Sequence, residues 1–150
     1  MPNTYADPPE LAAGSLGSFS RADLVFEDVD HSDASFEARI FLNNVDADEN
    51  TPKTANAGYA GSFHIFGHGG CYGDDMGHCV VRPWRAYDPR PAHHLNATRK
   101  VVIVTTPLRR ALSQSSTVKV NIVVVVTGTT PNSSPGDPLS YKKMSIVTYR

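Results

Sequence analysis

Apolar and polar residues alternate in short runs along most of this chain, and Gly and Pro break the runs too often for long helices. Residues 35–42, Ser35-Phe36-Glu37-Ala38-Arg39-Ile40-Phe41-Leu42, set large apolar against polar side chains through their first half and predict a strand. Residues 22–29 predict another, joined to it by the tight polar connection Asp30-His31-Ser32-Asp33. A long polar segment, 43–58, precedes a third strand over 59–66, which runs into a Gly-rich loop. Residues 80–98 hold Pro83, Pro89 and Pro91 and predict irregular surface chain. Regular structure returns over 99–105, with Val101, Val102, Ile103 and Val104 at its centre. It returns again over 117–127, which alternates and then turns wholly apolar, and over 144–149 after the Pro, Ser and Gly loop of 128–138. Thr106-Pro107-Leu108-Arg109-Arg110-Ala111-Leu112 marks one short helix, with Thr106 as N-cap and Pro107 in the first turn. The first twenty residues, rich in Pro, Ala, Gly and Ser, show no period and predict a flexible arm over 1–20, ahead of a single domain over 21–150. Six to eight short strands, one short helix and long loops predict an all-β fold, an antiparallel β-sandwich or barrel.

A chain of 150 residues is large enough for one domain with a core that needs no staple. Its 14 Lys and Arg against 15 Asp and Glu give a net charge of −1, and no basic stripe is present to draw a nucleic-acid backbone. The longest apolar run, 122–126, falls far short of the ~20 residues a membrane helix needs. The N-terminus Met1-Pro2-Asn3-Thr4 has no basic region followed by an apolar one. The expectation is a soluble chain, cytoplasmic or secreted, with no visible secretory signal and no nucleic-acid or membrane partner. A Gly-x-Ser-x-Gly elbow, a Walker loop and a dinucleotide fingerprint are absent, and Ile65, Phe66 and Gly67 between His64 and His68 do not make a zinc-protease motif.

Candidate chemistry concentrates in residues 61–79, which carry three of the six histidines and both cysteines. His64 and His68 lie an even number of residues apart and, on one strand, would share a face. His64, His68, His78, Cys71, Cys79 and the pair His93 and His94 form the candidate metal set, and imidazole with sulfur suits copper first. With an open coordination position, a single copper there would activate dioxygen or a phenol, with Tyr72, Trp84 or Tyr87 lining the pocket. Each residue also has a structural reading: His64 as a hydrogen-bonded strand residue, His78 bracing a turn. Cys71 and Cys79 are candidates for a disulfide, for metal ligation or for free thiols, and the spacing leaves all three open. Asp46, Asp48 and Asn50, followed by Thr51, resemble the opening of a calcium loop but lack the glycine demanded at its sixth position, so a solvated loop is the simpler reading. Arg109 and Arg110 read as solvent-facing charge on the short helix.

The string Ser35-Phe36-Glu37-Ala38-Arg39-Ile40-Phe41-Leu42-Asn43-Asn44, the Asp46-Ala47-Asp48 after it, the block Gly58-Tyr59-Ala60-Gly61-Ser62-Phe63-His64 and the closing Ser145-Ile146-Val147-Thr148-Tyr149 resemble the C-terminal β-domain of tyrosinases and polyphenol oxidases. The resemblance runs from about Ala22 to Arg150. It implies an accessory module that packs over a dicopper site, restricts substrate access and supports folding or activation. The dicopper site of that family sits on a helical bundle in a preceding domain, and this chain has neither the helices nor their paired histidines. The implied partner is therefore a tyrosinase-like catalytic protein, with Phe66, Tyr72 and Trp84 as candidates for the contact face. The alternative is a copper-binding protein in its own right, acting on phenolic small molecules through the histidine-rich loop.

Overall fold

A computed structural model describes residues 3–6, 10–68, 86, 87, 89, 97–128 and 136–150. Among these residues eight strands and two α-helices follow one another: β1 (Asn3–Ala6), β2 (Glu10–Ala12), the single turn α1 (Ala13–Leu16), β3 (Arg21–Val29), β4 (Ser35–Leu42), β5 (Tyr59–Ile65), β6 (Thr98–Ile103), α2 (Thr105–Gln114), β7 (Thr117–Gly128) and β8 (Lys143–Tyr149). They form two four-stranded sheets, ordered β1-β8-β3-β6 and β2-β7-β4-β5, with every pair antiparallel. The fold is an all-β sandwich, with one helix longer than a single turn among the described residues.

Alternation explains the packing. β4 sends Phe36, Ala38, Ile40 and Leu42 inward, β3 sends Ala22, Leu24 and Phe26, β5 sends Phe63 and Ile65, and β8 sends Met144 and Ile146. On β3 the register shifts between Phe26 and Val29, where Asp28 takes a φ of 55°, and this bulge returns Val29 to the interior. Phe63 links the two layers, its ring centre 4.9 Å from that of Phe26 and 6.5 Å from that of Phe36. The sheets also meet at their β5 and β6 edges. A Cβ on Gly61, whose φ is 141°, would lie 2.6 Å from Val102 Cγ1, so only glycine lets the two strands cross there.

Several expectations change in three dimensions. The tight connection 30–33 carries the chain from one sheet to the other, because β3 and β4 pair with different partners. The first twenty residues, read from composition as a loose arm, supply edge strands: β1 pairs with β8, and β2 pairs with β7. Their conformation comes from distant partners, which local periodicity does not register. α2 begins two residues early, with Val104 in place of Thr106 as N-cap and no side-chain cap. Thr105 Oγ1 instead accepts a hydrogen bond from Ala22 N at 3.0 Å, while Val104 O takes the first helical bond from Leu108 N at 2.8 Å. Arg109 is not merely solvated charge, since it donates to Phe19 O at 2.7 Å and lies over the Phe19 ring, tying α2 to the chain before β3.

Candidate functional site

The outward positions of β4 build a charged cluster. Glu37 faces away from the hydrophobic interior, opposite His64 of β5, yet only 4% of it is exposed. The polar segment 43–58 folds back over this face: Lys53 Nζ donates to Glu37 Oε1, and Arg39 Nη1 donates to Glu49 O at 2.7 Å. Arg39 Nε also donates to Glu37 Oε2 at 2.9 Å. Tyr59 OH lies 3.1 Å from Ser62 Oγ, and that hydroxyl in turn hydrogen-bonds the Glu37 carboxylate. Burial pushes the Glu37 carboxyl up, but hydrogen bonds from Lys53, Arg39 and Ser62 outweigh it and hold the pKa down at about 2. Glu37 therefore stays ionised near neutrality and fastens a loop to a sheet.

The histidines separate into two places. The His64 side chain is 62% exposed, with Nε2 3.8 Å from Glu37 Oε1. β5 ends at Ile65, so the two-residue period that would put His68 on the face of His64 does not reach it. The chain instead docks on the 30–35 connection: Gly67 N donates to Ser35 Oγ at 2.9 Å and His68 N to His31 O at 2.9 Å. A Cβ on Gly67 would overlap the backbone of Asp33 and Ala34, so glycine permits this approach. The rings of His31 and His68 then meet edge to face, with centres 5.5 Å apart. Sequence reasoning placed His31 in a turn and Glu37 on a strand and gave neither a role. The signal for His31 was the pairing of Phe36 with Ile65, which, continued outward, sets the residues before β4 beside those after β5.

Cys71, Tyr72, His78, Cys79, Trp84, His93 and His94 lie outside the described residues, and the disulfide and metal readings of those positions lie there with them. Among the described residues, no group of three His, Cys, Asp or Glu side chains converges. Asp48 Oδ1 accepts hydrogen bonds from Asn50 N at 2.9 Å and Thr51 Oγ1 at 3.0 Å, so this carboxylate caps its own turn. Phe66 and Tyr87 are exposed, at 87% and 97%. A separate cleft of about 200 Å³ lies between α2 and a 3-10 turn at Ala55–Ala57, lined by Asn44, Asn56, Arg110 and Gln114 among others. None of the histidines lines it.

No protein-family model matches this chain, and no curated protein matches it significantly. Among the described residues, no helix is long and apolar enough to cross a membrane.

Proposed function

We propose that this chain is an accessory β-domain of the tyrosinase type, which docks over the copper site of a separate dicopper catalytic protein and limits the access of phenols to it. The observation that carries this reading is the ring of Phe66, 87% exposed in the first position after β5. Phe63, three positions earlier, is buried in the aromatic core. A large apolar side chain held in water forgoes about 2 kcal/mol of burial, and an aromatic ring is the kind of anchor that dominates docking surfaces. The resemblance supports the same reading, because its strings fall on β4, β5 and β8, the strands that carry much of the sandwich core. The test is the affinity of this chain for a tyrosinase catalytic domain that lacks its own β-domain, measured for the wild type and for Phe66→Ser. The reading expects binding that weakens about thirty-fold in the variant, the equivalent of one 2 kcal/mol anchor. Absence of binding, or equal binding by the variant, contradicts it.

A second reading rests on His31 and His68. Their ring centres lie 5.5 Å apart, and imidazole is a ligand for which copper is the favoured metal. As a copper protein, the chain would hold the ion through His31 and His68 and bring phenolic substrates to it. Copper retained after dialysis by the wild type, and lost in both His31→Ala and His68→Ala, supports this reading. Retention of copper in both variants removes it.

A further inference from the structure

The edges of the two sheets are guarded unequally. β1 and β2 are four and three residues long, β6 carries Arg99 and Lys100, and β5 is crossed by β6 at Gly61. β7 is twelve residues long, and β2 pairs with it only at Thr117, Val118 and Lys119. From Val120 to Gly128, β4 is the one strand beside β7 among the described residues. Burial changes at that boundary. Val118, beside β2, is wholly buried, whereas Val120, Ile122 and Val124 face the same interior and are only partly covered. Their partners on β4, Leu42, Ile40 and Ala38, are buried, and on the other side of β7 no strand lies beside them among the described residues. Val126 is 43% exposed, and the outward Val123 and Val125 are half-buried. Residues 120–128 contain no charge and no proline, the two devices that usually blunt a long edge.

We propose that this edge of β7 is an interface at which two copies of the chain pair antiparallel, joining their β2-β7-β4-β5 sheets into one. The segment is its own complement. A two-fold axis at Val124 sets Val123 against Val125 of the other copy, Ile122 against Val126 and Val120 against Gly128, inward residues against inward and outward against outward. No like charges meet across that register, which favours a second copy over a strand of opposite charge pattern. Backbone N–H and C=O groups of this edge, which pair with no strand among the described residues, gain partners, and each copy adds cover to Ile122 and Val124 of the other. β5 and Phe66 lie at the opposite edge of this sheet, so the interface is independent of the accessory reading.

Sedimentation velocity over a dilution series tests the proposal, comparing the wild type with the double variant Val123→Lys, Val125→Lys. Those lysines stand opposite one another across the axis and keep their stems on the half-buried outer face. The wild type is expected to sediment as a dimer that dissociates on dilution, and the variant as a monomer with unchanged circular dichroism. Amide hydrogen exchange of the wild type provides a second reading, with 120–128 slowing as concentration rises while β4 is unaffected. A wild type that is monomeric up to its solubility limit overturns the proposal, as does a folded variant that stays dimeric. If the variant does not fold, exchange at 120–128 that ignores concentration overturns it.

Discussion

Replacing Glu37 by Gln removes the charge that holds the 43–58 segment on the sheet while keeping the side-chain volume. A carboxyl moved from its ordinary 4.5 to about 2 on folding contributes about 3 kcal/mol at neutral pH, taking about 1.4 kcal/mol per pH unit. The groups facing it are Arg39 on β4, Lys53 on the loop, and Ser62 and His64 on β5, while β7 presents Val125. Lys53 is 43% exposed along its side chain and can turn to water, whereas Arg39, at 16%, keeps its bond to Glu49 O and exchanges the carboxylate for a neutral amide. The loss therefore falls mainly on the Arg39 side. Because the folded pKa is depressed, the contribution is complete above about 4.5 and disappears as the pH falls toward 2. Urea unfolding followed by circular dichroism is expected to show Glu37→Gln about 3 kcal/mol less stable at pH 7. Repeated at falling pH, the gap between the two proteins is expected to close between about 4.5 and 2. A gap below about 0.5 kcal/mol at neutrality, the size of an ordinary surface change, or one that does not vary with pH, refutes the reasoning.

Other substitutions test the packing. Phe63→Ala leaves a cavity between the layers and is expected to cost about 3–5 kcal/mol, read in the same unfolding assay. Gly61→Ala forces a Cβ onto Val102 at a backbone angle suited to glycine and should cost about 1–3 kcal/mol, while Gly14→Ala, with open space around it, should leave the melting temperature unchanged. Thr105→Val leaves Ala22 N without its hydroxyl acceptor and is expected to cost about 1–3 kcal/mol, with Thr105→Ser restoring most of it.

The six strands over residues 21–149 were legible because each carries its own inward set, and β4 was readable residue by residue from its alternation. β1 and β2 were not, since Pro- and Ala-rich chain has no period and their pairing is set by β8 and β7, more than a hundred residues away. The start of α2 was misplaced because Thr106 looked like a cap, when Thr105 uses its hydroxyl on β3 and leaves the cap position to Val104. At the site, His64 and His68 looked like one unit because a two-residue period was carried past the end of a strand. The chain turns after Ile65 onto the 30–35 connection, and the neighbour of His68 is then His31, far away in sequence. Glu37 was hidden differently. A polar residue at an outward strand position reads as solvated, and only the covering loop, whose sequence reveals no destination, makes it a buried ion.

The accessory role meets its most direct test in the rate of phenol oxidation by a dicopper tyrosinase catalytic domain without its own β-domain, titrated with this chain. The account predicts that the rate falls as the wild type is added and stays near its starting value with Phe66→Ser. A rate unchanged by the wild type, or lowered equally by the variant, contradicts it.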